Sequence, residues 1–313
     1  MSSHPSVSII IAAASASVTL PKTLEAIAAQ DYPGDIEVVV AAADASTAEA
    51  ARQHAVTVVE NVPGTTPAGL NLAAHASSGT FLVRVDAHSL IPPHYVSRVV
   101  ETLQSTGADN VGGRQVPAGT TFTEKAIAAA MASPFGAGDA RYRVGGQAGP
   151  ADTVYLGAFP RRVFEEIGGY DERFVRNQDY DLNHRIRSTG GVVWFDPGLE
   201  VTYRPRSSLT ALAGQYFDYG LWKRFFARTR SWSLRPRQLA PPLLVLILVA
   251  SLVGSYWLPL LLWLPVAYLL ALILIGTAYL PRIGAPALLM PVALAVMHVS
   301  WGVGFLVGHT SER

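Results

Sequence analysis

Short apolar runs alternate with amphipathic segments through the first two thirds of the chain. Val7–Ala13 reads as a buried strand, and "LPKTLEAIAAQ" (20–30) has the apolar spacing of a helix. "DYPG" (31–34) breaks that helix, and "IEVVVAA" (36–42) predicts a second strand ending before Asp44. "STAEAARQHA" (46–55) predicts a helix capped by Ser46. A strand over 56–61, a helix over 67–79 running to a glycine stop, and a strand over 80–86 follow. Beyond Pro92 the spacing predicts a helix over 93–107, a strand over 110–116 and a helix over about 122–133. A glycine-rich loop (135–149) leads to a strand over 153–160, helices over 161–169 and 178–191, and strand-like alternation over 192–205. Strands alternating with short helices indicate an α/β protein built on a parallel, doubly wound sheet. Ligands of such sheets sit at the carboxyl ends of the strands. There is no internal repeat and no low-complexity tract.

After Leu239 the pattern changes. Residues 240–280 contain no charged residue, and neither do residues 285–308. Roughly 20 apolar residues span a bilayer, so membrane helices are expected at about 240–256, 258–280 and 286–308, with a turn near Ser255–Pro259. Composition agrees: half of the residues are hydrophobic and only 15% charged. Upstream, "WKRFFARTRSWSLRPR" (222–237) carries six basic residues and no acid, interleaved with Trp222, Phe225, Phe226 and Trp232. Residues 221–238 therefore predict a basic amphipathic segment in the headgroup layer, or a plain positive stop-transfer flank. That stretch and Arg282 belong on the cytoplasmic side, with Glu312 and Arg313 outside. The expectation is a cytoplasmic domain over 1–220 and a multi-pass domain over 239–313 in the plasma membrane. "VSIIIAAASASV" is expected to be strand rather than leader, because no Lys or Arg precedes it. The net charge of +1 selects no partner, and the absence of cysteine excludes disulfides and thiolate metal sites.

Candidate chemistry gathers where strands end. In "FLVRVDAHSL" (81–90), Asp86 and His88 stand two residues apart, and strand alternation would turn both toward one ligand. Their oxygen and nitrogen donors suit Mn²⁺ or Mg²⁺ with a diphosphate completing the octahedron; a plain strand-closing turn is the alternative. In "RNQDYDLNHRI" (176–186), Asp179 and Asp181 open a helix, where the dipole favours carboxylates. A carboxylate there could also be a general base. "GGYDERF" (168–174) combines a glycine turn, an aromatic ring and two acids, which suits a sugar-binding lip or a helix C-cap.

Together these motifs carry a resemblance. Asp44-Ala45-Ser46 after the second strand, then Leu70-Asn71, Asp86-x-His88, "GGYDERF" and "QDYDLNHRI" occur in an order similar to that of family 2 inverting glycosyltransferases, above all the membrane-anchored succinoglycan-biosynthesis type. The resemblance covers about 7–225 and implies a GT-A fold with a mixed doubly wound sheet, followed by transmembrane anchors. It implies that Asp86 and His88 bind the metal and the donor diphosphate, that Asp44 holds the nucleoside, and that Asp179 is the catalytic base. It further implies an acceptor-side turn at Gly168, Gly169, Tyr170 and Asp171, with Gln178 beside the base. Gln215 and the following "YFDYGLWKR" resemble the subgroup's late motif, from which Lys223 or Arg224 would reach the departing diphosphate.

The implied reaction moves a hexose from a nucleotide-diphosphate sugar, a UDP-sugar in the first instance, to a polyprenyl-linked or polysaccharide acceptor. Membrane lipids are expected partners and nucleic acid is not. The departures fall on the nucleoside side: "AAASAS" (12–17) replaces the family's Pro and Tyr-Asn-Glu, Ala43 replaces its first acid, and "PGTTPAGLN" (63–71) lacks its basic residues. They leave open a catalytically degenerate scaffold. A processive synthase is the other alternative, although Gln-x-x-Arg-Trp is absent and "QYFDY" keeps only its Gln.

Overall fold

The computed structural model describes residues 4–230 and 234–308, so Trp232, Glu312 and Arg313 lie outside the described residues. The chain divides into two compact units, Met1–Val116 with Gly145–Tyr203, and Pro117–Val144 with Arg204–Arg313.

The first unit opens with β1 (Val7–Ala13), α1 (Leu20–Ala28), β2 (Ile36–Ala42), α2 (Ala45–Arg52), β3 (Thr57–Glu60), α3 (Thr66–His75), β4 (Phe81–Arg84), α4 (Tyr95–Thr106) and β5 (Asn110–Pro117). The chain then contributes α5 (Phe122–Ala132), α6 (Pro134–Ala137) and α7 (Arg141–Val144) to the second unit. It returns as β6 (Gly149–Pro150), β7 (Tyr155–Pro160), α8 (Arg161–Glu166), α9 (Gln178–Ser188) and β8 (Val193–Tyr203). One sheet results, in the order β3-β2-β1-β4-β7-β5-β8-β6. The four strands β3, β2, β1 and β4 are parallel, whereas β7 runs antiparallel to both β4 and β5. The sheet is thus mixed.

Both faces of the parallel half are covered, which is why its inner strands are mainly apolar, with the buried Ser8 and Arg84 paired to Glu37 and Asp86. Ile9, Ile11, Val40, Val83 and Val85 enter one core cluster. Ile10, Val39, Ala41 and Leu82 enter the other, with Leu182 and Ile186 of α9 and with Tyr170. Strand parity thereby sends Leu82 and Arg84 toward the face that carries α9.

Two local expectations change. Helix α2 is capped by Asp44, whose carboxylate accepts from the Thr47 backbone N–H at 2.8 Å, and not by Ser46. Helix α3 ends at His75 rather than at Gly79. The Gly79 N–H instead donates to Ser8 Oγ and Glu37 Oε1, joining the loop to β1 and β2.

The second unit is helical: α5–α7, then α10 (Leu209–Thr229), α11 (Pro236–Gly254), α12 (Trp263–Ile283) and α13 (Met290–Val307). Short 3₁₀ turns at Pro259–Leu262 and Ala285–Leu289 precede α12 and α13. Among the described residues, three segments are long and apolar enough to cross a membrane: Pro236–Gly254, Pro259–Ile283 and Ala285–Val307. The basic stretch 221–238 is split between the end of α10 and the start of α11, because backbone extended at Arg230 ends one helix and Pro236 opens the next.

Helix α10 packs along α13 through small residues. A Cβ on Gly220 would lie 2.0 Å from the Trp301 carbonyl oxygen, and one on Gly304 would lie 2.1 Å from that of Phe217. Such backbone-to-backbone approach is how apolar helices associate where burial supplies no drive. His298 on α13 binds Tyr268 Oη of α12 and the Phe135 carbonyl of α6, tying the short helices to the apolar ones.

Candidate active site

Arg84 is the organising residue, and the motifs did not point to it. It ends β4 fully buried, at 5% exposure, and its guanidinium meets two carboxyls. Its Nε and Nη2 donate to Asp86 Oδ1 at 3.0 and 2.8 Å, while Nη1 donates to Asp179 Oδ1. The first contact is local: Asp86 stands in the turn that follows β4, two residues past Arg84, and meets its guanidinium there. The second arises because α9 packs on the Leu82–Arg84 face of β4, with Asp179 in its first turn. The ring of Tyr170 flanks the guanidinium, 6.0 Å from its carbon. A lone cation in "FLVRVD", two residues ahead of the acid, was the available signal.

Asp86 and His88 do not sit on a strand. Strand β4 stops at Arg84, and the Ser89 N–H donates to the Asp86 carbonyl at 2.9 Å, closing a turn. Alternation therefore does not aim the pair, although the His88 charge is near enough to act on Asp86. Asp86 Oδ2 faces the Tyr155 hydroxyl at 3.5 Å, and the exposed His88 ring lies 6.5 Å from that of Tyr203.

The two carboxyls titrate in opposite directions. Burial raises Asp86, but Arg84 and His88 outweigh it and hold the group below the ordinary carboxylate range. Burial raises Asp179 too, and with the nearby Asp86 charge it prevails over Arg84, leaving the carboxyl above that range. Paired groups with separated proton affinities mark a division of labour between charge binding and proton transfer.

The rest of α9 is committed to structure. Asp181 is fully buried and accepts from Arg185 Nε at 2.8 Å. Arg185 also donates to the Ile167 and Gly169 carbonyls at 2.6 Å each, which joins α9 to the glycine turn. Asn71 clamps that turn from α3: it accepts from the Tyr170 N–H and donates to the Tyr170 carbonyl, both at 2.9 Å. Gly169 has φ +65°, and a Cβ there would lie 2.7 Å from Asn71 Oδ1. The motif pairs Leu70-Asn71 and "GGYDERF" are thus a single mechanical unit.

A family model described as "Glycosyltransferase like family 2" matches residues 4–217. The chain belongs to this glycosyltransferase family. Among family 2 relatives, the succinoglycan biosynthesis protein ExoA of Rhizobium meliloti (strain 1021) is 30% identical over 241 residues, covering 75% of this chain and 71% of that protein. Among solved structures, the mannosyltransferase PcManGT from Pyrobaculum calidifontis, in complex with GDP-Man and Mn2+, superposes with a TM-score of 0.63. The alignment covers 97% of this chain and 88% of that one at 21% identity, and the shared fold is GT-A.

Against the family 2 pattern, several expected contacts are already engaged. Asp44 accepts from the Ser15 N–H, Ser46 Oγ, and the N–H and Oγ1 of Thr47 at 2.6–2.8 Å. These donors, led by the Ser46 hydroxyl, lower its proton affinity strongly. It ties the β1–α1 loop to α2. Tyr170 is 2% exposed and packs edge-on to Phe164, so its ring is core and not a sugar-binding lip. Asp171 accepts from Arg173, and Gly168 remains on the surface turn. Gln178 and Asp179 are half-buried at the start of α9.

The late basic pair lies in the second unit. Arg224 donates to the Phe305 carbonyl at 3.0 Å and to the Leu306 carbonyl, capping the end of α13. These contacts are of the kind that basic side chains make at helix C-termini. Lys223 is buried, with its ammonium 5.0 Å from the centre of the Phe226 ring.

Proposed function

We propose that this glycosyltransferase moves a hexose, with inversion, from a nucleotide-diphosphate sugar to a lipid-linked or polysaccharide acceptor. The transfer takes place at the cytoplasmic face of the plasma membrane and serves cell-envelope or exopolysaccharide synthesis. One observation carries the reading: two carboxyls far apart in sequence, Asp86 and Asp179, converge on one buried guanidinium, and Asp86 follows the carboxyl end of a parallel strand, where such sheets bind ligands. The exopolysaccharide context draws on the relative named for succinoglycan biosynthesis.

Asp179 is the base. Its raised proton affinity suits it to take the acceptor hydroxyl proton. The hydroxyl oxygen then bonds to the anomeric carbon as the bond from that carbon to the diphosphate breaks on the opposite face. The proton rests on Asp179, and the nucleoside diphosphate leaves with the bonding pair. The turn at Gly168–Asp171, clamped by Asn71, shapes the acceptor side beside Gln178, and Asp44 shapes the nucleoside side through the Ser15 loop.

Asp86 Oδ2 and His88 would hold Mn²⁺ or Mg²⁺. Asp86 Oδ1 is taken by Arg84, and no cluster of three His, Asp or Glu suited to a metal exists among the described residues. The donor set therefore fits an ion completed by phosphate oxygens and water. When bound, such an ion offsets the charge growing on the leaving diphosphate. The solved mannosyltransferase with GDP-Man and Mn2+ supports this donor class. Three apolar segments, with the acid-free basic stretch 222–237 ahead of the first and Arg282 between the second and third, support a membrane-held acceptor and a cytoplasmic catalytic unit.

The test is thermal stabilisation of the purified protein in detergent by UDP, GDP, UDP-glucose and GDP-mannose, with Mn²⁺ or with EDTA. A ligand at about 100-fold excess over Kd adds roughly 2.7 kcal/mol. One nucleotide is expected to raise the midpoint only with Mn²⁺, and Asp86→Ala is expected to remove that shift. No shift with any nucleotide would move the non-catalytic scaffold to the front.

A further inference from the structure

We infer that Arg84 is a positioning residue for the base: anchored on Asp86, it holds the Asp179 carboxyl in its reactive orientation. The inference rests on the assignment of Asp179 as the base and goes beyond it, because the motifs that suggest the base do not include Arg84.

The geometry divides the guanidinium into two working parts. Nε and Nη2 converge on Asp86 Oδ1, fixing the plane of the group against the residue that follows its own strand. Nη1 is left pointing at Asp179 on another element. The stem is buried and the Tyr170 ring flanks the head, so the arm has little freedom to swing. Asp179 needs such a hold. Its helix is capped by Asn177, a residue in the left-handed region at φ 63° whose side chain makes no capping hydrogen bond. The Asp179 side chain itself is about one third exposed. Arg84 supplies the charged partner on one carboxyl oxygen, Oδ1.

Only a planar fork can satisfy both carboxyls from one position. Lysine keeps the charge but presents a single point on a flexible stem. Arg84→Lys is therefore expected to keep the thermal midpoint within a few degrees of wild type while lowering kcat at least about tenfold, with donor KM changed less than about threefold. A buried cation serving stability alone would be replaced by lysine with kcat intact. Recovery of both midpoint and kcat in Arg84→Lys would therefore overturn the inference. So would an unchanged kcat with a raised donor KM, which would make Arg84 a donor-site residue.

Should Arg84→Lys fold poorly, residual transfer decides in the Asp179→Asn background. Adding Arg84→Gln is expected to leave the residual kcat at saturating donor and Mn²⁺ unchanged, because Arg84 acts on the chemical step through the group already removed, whereas loss of its contact with Asp86 is read separately in donor KM. A full multiplicative loss would overturn the inference. Normal turnover in Asp179→Asn alone would instead refute the base assignment, which keeps the two failures apart.

Discussion

The carboxyl ends of β2 and β4 each bear an acid two residues past the strand, and the two acids have different fates. Past β2, Asp44 spends both oxygens on four neutral donors from its own helix and the adjoining loop. Past β4, Asp86 shares one oxygen with the fork of Arg84, and that fork reaches on to Asp179. Strand-end position alone therefore does not fix what an acid contacts. Asp44 is saturated by backbone and hydroxyl donors and caps a helix, whereas Asp86 is tied to a cation that it shares with Asp179, its other oxygen 3.5 Å from the Tyr155 hydroxyl.

The largest effect should come from the β4 end. Asp179→Asn is expected to lower kcat by about 10²–10⁴-fold, roughly 3–5.5 kcal/mol of barrier, without lowering the thermal midpoint. Near-normal kcat in a transfer assay would break the comparison at its root. Next, Asp86→Ala should abolish the Mn²⁺-dependent nucleotide shift, read by thermal melts at fixed nucleotide, while the apo protein stays folded. A retained shift would mean that the donor is held elsewhere.

A smaller change is expected at the β2 end. Asp44→Ala removes the cap of α2 and should lower the apo midpoint by a few degrees, leaving kcat within about threefold of wild type. Loss of nucleotide binding with an unaltered midpoint would make Asp44 a direct contact and erase the contrast.

The smallest effect sharpens the contrast through pH. Asp44 is depressed in the fold, so its stabilisation is present above the unfolded carboxylate value, about 3.9, and fades as pH falls below it. Asp179 is raised, so its contribution runs the other way and diminishes as pH climbs through the carboxylate range. Melting curves between about pH 3 and 6 should show the wild-type advantage over Asp44→Asn shrinking on acidification. The wild type should gain relative to Asp179→Asn over the same interval. Parallel slopes would show that the two strand ends are electrostatically alike.

The sequence by itself determined the elements and the motif set. Mainly apolar runs in β1, β2 and β4 declare strands buried on both faces, and both β1 and β2 span the residues that the pattern predicts. Uncharged stretches declare the apolar helices in the same local way, since length and hydropathy are properties of a segment and need no partner. What a polar group contacts is decided elsewhere. That Asp44 caps a helix, that Tyr170 is core, that Arg224 closes α13 and that Arg84 bridges Asp86 to Asp179 all depend on which elements pack together. Only the packing of α9 against the Leu82–Arg84 face of β4 brings Asp179 to Arg84. Burial follows hydrophobic periodicity along the chain, whereas a hydrogen bond between distant residues is specified by the fold as a whole.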